Sequence, residues 1–457
     1  MKIFKIAYHL LIYFVLTTSA YAANHYICAG ATGANNGSDW TNAWTTLPST
    51  LTRGDTYYIA DGTYGGYVFD DAASGSTYIY IKKATQSVHG TDTGWNSTYG
   101  DGQAVFTGQW SIRSNYLDID GVTGGGPGSW RSGHGFKVIT DPRAGGWLPR
   151  NIWFDQSYSG GPGNGSYVNL KHIELTRTTI PGGGESQDYW DDSIITSWQA
   201  NTNLNMSYLW IHAFNKMGIS GAPKNWTLEY SLLEDNHGTT SQHGELIALD
   251  GGPGPFLIRY NYFAKWRSTG LLYCVGSTGE TINGVQIYGN IIDGTEAESW
   301  WVIGGGDGDL IYQANWKIYN NTFINLLSES RVGYFRTGTS GNELKNNIFW
   351  NTTTGSRSIF MQNVTNDYGW YTNGWTPQVS DPHAISGGSA NPFVNSSSSN
   401  FHLSSAISGL SINSPYNQDM DRVIRGSDAV YDRGAFEYNS SIPSLKPMPP
   451  EGVRISP

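Results

Sequence analysis

The sequence predicts an all-β solenoid, in which the chain winds into stacked coils of short parallel strands. The main observation is a six-residue motif that is apolar at its first and last positions and carries Ser or Asn at its fourth. Its clear copies are Leu228–Leu233, Ile258–Phe263, Ile287–Ile292, Ile318–Phe323 and Leu344–Phe349, and two weaker copies, Leu170–Leu175 and Met206–Ile211, precede them. The fourth positions of the clear copies lie 30, 29, 31 and 26 residues apart. A repeat of this period is typical of stacked architectures.

The spacing inside the motif indicates two short strands broken by a bend. Apolar residues lie three before and two after the fourth position, which is not the spacing of a helical stripe. Asn suits a bend because it tolerates the left-handed backbone region. Stacked coils would place Asn261, Asn290, Asn321 and Asn347 in one column, where their amides can satisfy buried backbone groups.

Short apolar segments between the motif copies are the second observation. They are Ser193–Thr196, Glu245–Leu249, Leu271–Val275, Trp300–Ile303, Val332–Phe335 and Ser358–Met361. Each repeat is therefore filled by strands and has no room for a helix. Coils of this length with Asn at the bend resemble right-handed parallel β-helix proteins of the pectate-lyase-like group. The resemblance covers most of the chain after residue 22 and implies the fold, but many activities share this scaffold, and no enzyme family is matched by its catalytic motif.

The N-terminus is typical of a secretory signal peptide over residues 1–22. Lys2 and Lys5 supply a positive start, an apolar stretch follows at 10–16, and Ala20-Tyr21-Ala22 fits a cleavage site. The apolar stretch is too short to favour a membrane anchor, and no later segment could span a membrane. We therefore expect a secreted protein, located outside the cell or in the periplasm.

The rest of the chain is interpreted as one β-helix domain over 23–438. Its parts are an N-terminal cap at about 23–64, regular coils at about 166–365 and an exit module at about 391–438, and a Ser/Pro-rich tail or linker follows at 439–457. A short helix over Trp40–Leu47 is expected to shield the first coil. Cys274 lies in an apolar strand far from Cys28 and is expected to be a buried free thiol.

Composition narrows the classes of partner. The formal net charge is −10, and loss of the two lysines of the signal makes it −12. An acidic chain without basic blocks argues against nucleic acid as a partner. Aromatic residues make up 14% of the chain, which fits either stacking on sugars or packing within and over the solenoid.

Aligning the coils on the motif gathers ionisable residues in one region, because neighbouring rungs lie about 4.8 Å apart. Lys265 falls beside Asp235, and Arg267 falls beside His237. Aligning the next strands places His243 over Asp191 with one coil between them. The full cluster comprises Asp191, Asp192, Glu234, Asp235, His237, His243, Glu245, Lys265 and Arg267. Crowded charges favour a functional site, although salt bridges between rungs of a solvated face would give the same pattern.

The cluster is suited to β-elimination on an acidic polysaccharide, which needs a neutralised carboxylate, a base and an acid. Arg267 could neutralise the uronate carboxylate, alone or with a cation such as Ca²⁺ held by Asp191, Asp192 or Glu245. Lys265, His237 or His243 could be the base. Arg and Lys on one coil beside carboxylates are similar to the arrangement in β-helix lyases that act on alginate and chondroitin, but the spacing does not match their motif, so no role transfers.

Two other functions stay open. A β-helix glycoside hydrolase needs paired carboxylates, which Asp191 or Asp192 with Glu245 would provide. The sequence Gly133-His134-Gly135 resembles a polygalacturonase element, but its order relative to the acids is reversed, so we treat it as coincidence. A non-catalytic glycan-binding or cell-surface protein would instead depend on groove aromatics. The expected substrate contacts are Asp235, Tyr189, Trp190 and Trp266.

Overall fold

The chain folds as the predicted right-handed parallel β-helix, with three faces formed by columns of parallel strands. The computed structural model describes residues 22–439 except 142–149, 156–162, 179–192, 198–200, 222–223, 239–243, 251–252, 277–278, 306–310, 353–356 and 373. Within these residues no helix is long and apolar enough to cross a membrane. The described part of the chain has single-turn 3₁₀ helices at Ser97–Tyr99 and Ser396–Ser398.

The first face is one column of strands, each paired in parallel with the strand of the next coil. Its strands are Asn24–Ile27, Thr56–Ile59, Ile79–Lys83, Leu117–Asp120, Val168–Lys171, Thr202–Ser207, Lys224–Glu229, Pro253–Arg259, Thr281–Tyr288, Lys317–Tyr319, Glu343–Lys345 and Thr365–Asp367, with Tyr312–Ala314 also pairing to Thr281–Tyr288. The first strand of each motif copy therefore belongs to this face.

The second face receives the other half of each motif. Its strands are Phe136–Thr140, Ile173–Arg177, Trp210–Ile211, Leu232–Leu233, Tyr262–Ala264, Ile291–Asp293, Thr322–Ile324, Ile348–Trp350, Trp370–Tyr371 and Ile385–Ser386. Two long strands of the first coils, Gly62–Phe69 and Ala104–Ile112, run across both the second and the third face. An antiparallel pair, Phe393–Asn395 with Asn400–Leu403, lies outside the columns.

The third face contains the segments predicted between the motif copies. Its strands are Ile152–Phe154, Ser193–Ser197, Met217–Gly221, Glu245–Asp250, Gly270–Val275, Trp301–Gly304, Ser330–Tyr334, Arg357–Gln362 and Trp375–Pro377. All six predicted segments are present with shifts of one or two residues at their ends. Alternating apolar side chains from the three faces fill one continuous core.

The predicted column of buried asparagines is confirmed. Asn261, Asn290, Asn321 and Asn347 are buried in successive coils. The backbone N–H of each of the first three donates to the side-chain oxygen of the next, at 2.9–3.0 Å. Each side-chain amide also donates, at 2.8–2.9 Å, to the carbonyl of the residue that opens the preceding motif. The ladder satisfies the backbone groups that the bend removes from the sheets.

Two local predictions are wrong. The left-handed residue of the bend precedes the buried Asn, as at Tyr260 with φ 58° and Asn320 with φ 54°, because the Asn itself points into the core. Trp40–Leu47 forms turns and a single bridge between Ile27 and Trp44 instead of a helix. Both cysteines are buried, as expected for Cys274.

The outer side of the second face is covered in its C-terminal half. Apolar residues after position 390 pack on outward side chains of the strands Ile291–Asp293 to Trp370–Tyr371. Phe393 lies edge-on to Trp350, with ring centroids 5.5 Å apart. Arg433 donates to the carbonyl of Gly369 at 2.7 Å. This covering excludes the C-terminal half of the second face as a ligand surface.

We predict that Asn290→Ala lowers the free energy of unfolding by about 2–5 kcal/mol, because the backbone N–H of Asn261 and the carbonyl of Ile258 lose their partners in the core. Urea unfolding followed by circular dichroism measures the change. Asn283→Ala is the matched control, since Asn283 is exposed and only accepts from the amide of Asn315, and its effect should stay within about 0.5 kcal/mol. Equal effects of the two substitutions would contradict a supporting role for the ladder.

Candidate functional site

The predicted cluster lies where each coil turns from the second face to the third. Leu232 pairs with Tyr262, and Leu233 pairs with Phe263. This register brings Asp235 beside Lys265, as the alignment predicted. Asp235 has φ 60° and Lys265 has φ 50°, so both residues occupy the left-handed region at the corner of their coils. The strand ends therefore deliver the two side chains to one edge of the β-helix.

The charged side chains of this edge are joined into ion pairs, within and between rungs. Nε2 of His237 lies 3.0 Å from Oδ1 of Asp235 in the same coil. Nζ of Lys265 lies 3.2 Å from Oε1 of Glu296, a residue of the next coil. Nε of Arg267 lies 3.1 Å from Oε1 of Glu298 in that same coil. We call these six residues the corner array.

The close contact with His237 lowers the pKa of Asp235, and the positive charge of Lys265 adds to that effect against the opposing effect of burial. Asp235 is therefore ionised at neutral pH and lies beside the imidazole. Side chains of the array are one quarter to two thirds exposed. The array thus combines a His–Asp pair with two cations whose carboxylate partners face solvent, a set that can exchange partners with an anionic ligand.

The prediction that Trp266 contacts the substrate is wrong. The Trp266 side chain is 1% exposed, and its indole N–H donates to the carbonyl of Ser299 at 2.9 Å. Lys265 and Arg267 face outwards, so the residue between them turns inwards. Trp266 is a core residue that fixes the corner from which the two cations project.

Glu245 starts a strand of the third face and is fully buried. Its Oε1 accepts a hydrogen bond from Thr269 at 2.7 Å. A glycan on the surface does not touch this carboxylate, so Glu245 is placed as an anchor between two coils. Five other predicted site residues lie outside the described residues: Tyr189, Trp190, Asp191, Asp192 and His243. The strands that follow them have the predicted register, because Ile195 pairs with Ile219, which pairs with Ile247.

A second ionic cluster, which the sequence interpretation missed, lies on the outer side of the second face. Oε1 of Glu174 lies 2.7 Å from Nζ of Lys137 and 3.2 Å from Nε2 of His212, and Oε2 accepts from Gln103 at 3.0 Å. Burial opposes these bonds, but together they lower the pKa of Glu174 to about 2. The sequence does contain a signal for this cluster. Glu174 follows the fourth position of one weak motif copy and Trp210 follows that of the next, so the two residues are expected to be neighbours in successive coils.

Glu234 is held in the same manner on a neighbouring coil. Arg131 binds it with two hydrogen bonds of 2.7 and 2.6 Å, and the indole N–H of Trp210 donates to it at 3.1 Å. Both oxygens of Glu234, and both of Glu174, therefore already have partners. Saturated carboxylates of this kind are poor general acids or nucleophiles, so these acids do not form a hydrolase pair.

His134 lies near this second cluster and lines a cavity of about 420 Å³ with Lys83, Gln103 and Thr123. Burial lowers its pKa to about 4, so the ring is neutral at physiological pH. The carbonyl of Tyr208 lies beside the ring, but within the described chain neither ring nitrogen has a hydrogen-bond partner of good geometry.

Within the described ranges, no group of three or more His, Cys, Asp or Glu residues could hold a metal ion. The expected calcium ligands, Asp191 and Asp192, lie outside those ranges. Calcium binding therefore stays a prediction. Their carboxylate oxygens are the donors that Ca²⁺ prefers.

The architecture defines a parallel β-helix protein. No family model matches the chain, and no curated protein matches it. Solved structures with a similar fold include pectate lyase Pel9A, with 14% identity over 92% of this chain and 97% of that chain at a TM-score of 0.48. A PL6 family alginate lyase, AlyGC, has 11% identity over 78% of this chain and 53% of its own at 0.34. XylC in complex with xylose has 9% identity over 91% and 99% at 0.38. These likenesses concern the fold alone.

We predict that Glu174→Gln destabilises the protein by about 3 kcal/mol at pH 7, since a pKa lowered from 4.5 to about 2 corresponds to that free energy. A carboxylate with a depressed pKa stabilises the fold above its unfolded pKa. The difference between wild type and variant should therefore shrink as the pH falls from 4.5 towards 2. Urea unfolding at pH 7 and pH 3 measures it. Glu298→Gln, at an exposed ion pair, is the control and should cost less than about 1 kcal/mol; a pH-independent loss would contradict the assignment.

Proposed function

We propose that the protein is a secreted polysaccharide lyase that cleaves an acidic, uronate-containing polysaccharide by β-elimination at the corner array. The observation that carries the proposal is the placement of His237, in contact with Asp235, one rung from Lys265 and Arg267. A base beside two cations on a solvent-exposed edge meets the main requirements of the reaction. Export rests on the signal-like segment at 1–22.

His237 is the proposed base. The buried Nε2 lies 3.0 Å from Oδ1 of Asp235, and in the tautomer that carries the proton on Nε2 the other nitrogen, Nδ1, is the proton acceptor. The proton comes from the carbon that bears the uronate carboxylate. Its bonding electrons form a carbon–carbon double bond, and the bond to the leaving glycosidic oxygen breaks. The leaving oxygen then takes a proton from the Lys265 ammonium group or from water.

Arg267 is the proposed partner of the uronate carboxylate, because its planar guanidinium matches a carboxylate with two hydrogen bonds. To bind substrate, Arg267 exchanges Glu298 for the uronate, and Lys265 releases Glu296. Both glutamates are more than half exposed, and exposed ion pairs are worth only about 0–1 kcal/mol. Ca²⁺ held by Asp191 and Asp192 would add positive charge beside the same carboxylate.

A non-catalytic glycan-binding protein is the second candidate. It is favoured by the fact that Lys265 and Arg267 each have a carboxylate partner already, as expected for a structural row of charges. Paired-carboxylate hydrolysis has less support, since Glu245 is buried and Glu174 and Glu234 are saturated.

The test incubates the purified protein with a panel of uronate polysaccharides and follows the absorbance of unsaturated uronate ends. We expect activity that His237→Ala lowers by at least about 100-fold and Lys265→Met by at least about tenfold. Lys317→Met is the control, because Lys317 forms a comparable ion pair with Glu343 on the first face; its rate should stay within about twofold of wild type.

Three outcomes would count against the proposal. New reducing ends without the absorbance of unsaturated uronate would indicate hydrolysis instead of β-elimination. Binding without either signal would favour the glycan-binding alternative. Full activity of His237→Ala would remove His237 from the reaction and leave Lys265 or His243 as the base.

A further inference from the structure

The third face carries a cluster of aromatic rings around one arginine, in three successive coils. Tyr273 lies on the strand Gly270–Val275, Trp301 on the next strand, and Arg331 and Tyr334 on the strand after that. Trp300 directly precedes Trp301 in the chain. Its side chain is 52% exposed, which is unusual for an apolar residue of its size. We call these five residues the aromatic–arginine platform.

The rings of the platform are held in fixed positions. Trp301 lies edge-on between Tyr273 and Tyr334, with ring centroids 5.8 and 5.6 Å away and interplanar angles of 82° for both pairs. Gly305 has φ 88°, and a Cβ atom there would lie 2.7 Å from the Tyr273 ring and 2.9 Å from the Trp301 ring. Only glycine therefore leaves room for the two rings, so the backbone itself supports the arrangement.

The guanidinium of Arg331 lies over these rings. Its central carbon is 4.0 Å from the centroid of Trp301, 5.2 Å from that of Tyr334 and 5.9 Å from that of Trp300. The backbone N–H of Arg331 donates to the carbonyl of Trp300 at 2.7 Å, which fixes the start of the strand. Stacking on several faces pre-organises the arginine side chain.

Arg331 differs from the cations of the corner array in its electrostatic partners. Lys265 and Arg267 each pair with a glutamate. Among the described residues, no carboxylate lies within ion-pair distance of Arg331, and its Nε has no hydrogen-bond partner although it is buried. Within the described part of the chain, the guanidinium therefore has donors that an external acceptor could satisfy.

The platform is continuous with the corner array. Gly270 donates to the carbonyl of Arg267 at 3.1 Å and lies against the backbone of Trp301, and Trp301 pairs with Arg331 in the following coil. Arg267 and Arg331 therefore belong to coils two rungs apart, a separation of about 10 Å along the axis. One glycan chain that runs along the third face would contact both.

We propose that the aromatic–arginine platform is a sugar-binding subsite for an acidic residue of a glycan. The exposed ring of Trp300 takes the apolar face of the pyranose ring, and Arg331, stacked on Trp301, binds the carboxylate of the sugar with two hydrogen bonds. The platform selects an acidic sugar over a neutral one, because a neutral sugar covers Arg331 without satisfying it. The inference rests on the proposed function for the class of ligand, an acidic glycan, and not for cleavage.

The experiment measures binding by isothermal titration calorimetry in His237→Ala protein, so that cleavage does not interfere. The probes are oligogalacturonate, oligoglucuronate and oligoalginate, each paired with its methyl-esterified form. We expect Arg331→Met to raise the Kd for the acidic oligosaccharide that binds by at least about tenfold and to leave the Kd for the ester nearly unchanged. Arg331→Lys keeps the positive charge but loses the paired N–H donors of the guanidinium. Its Kd should lie between those of the His237→Ala parent and Arg331→Met.

Trp300→Ala and Arg259→Met complete the set. Trp300→Ala should weaken binding of the acidic and esterified forms alike, since it removes ring contact and no charge. Arg259 also lies over a tyrosine ring but is paired with Glu229 on the first face, so Arg259→Met should leave binding unchanged. Melting temperatures close to that of the parent identify the variants as folded.

The outcomes separate this inference from the proposed lyase activity. Binding that depends on Arg331 in a protein that cleaves nothing would overturn the lyase and leave the subsite intact. Cleavage by wild type together with an unchanged Kd for both Arg331 variants would overturn the subsite alone. Equal loss of affinity for acid and ester in Arg331→Met would show that Arg331 only supports the rings. Absence of binding to every probe would overturn both.

Discussion

The ladder of buried asparagines is the interaction on which the rest of the structure depends. Each amide links one coil to the next inside the core, where a lost partner is costly. The ladder therefore holds successive coils in one register at every bend. Because register is fixed, residues at equivalent positions of neighbouring coils become neighbours on the surface. Side chains far apart in sequence are thereby assembled into rows, and both candidate surfaces of this protein are such rows.

The three faces use this geometry differently. The second face is occupied, since Glu174 binds Lys137 and His212 towards its N-terminal end and apolar residues between Phe393 and Tyr438 cover its other half. The edge leading to the third face keeps its charges at the surface. The third face carries aromatic rings and Arg331 without a described carboxylate partner. The edge and the third face thus present the cations Lys265, Arg267 and Arg331, which under the proposed function would bind an anionic glycan.

The sequence predicts which residues of successive coils are neighbours along the axis better than it predicts whether a side chain points inwards or outwards. The neighbours Asp235 and Lys265 were found because the motif sets the coil length, and coil length sets register. The prediction for Trp266 is wrong because successive side chains point to opposite sides of the chain. Trp266 lies between the outward-facing Lys265 and Arg267 and is therefore buried. Glu174 and its partners were missed because they belong to coils in which the motif is weak. The sequence does not predict the Arg331 platform, because its rings and its arginine come from three coils and meet only when the third face is assembled.

The sequence by itself determined the solenoid, the three strands per coil and the asparagine column, because these follow from the period and apolar pattern of a repeat whose units must bury one another. Only the tertiary structure decided which charged side chains already have an ion-pair partner and which can bind a ligand. Some charged side chains are satisfied by their neighbours, as Glu174 is, whereas Arg331 has no ion-pair partner among the described residues. The difference depends on loops and coils that meet across the axis. Those contacts are set by side-chain packing between segments that are distant in sequence, and no local sequence pattern encodes them.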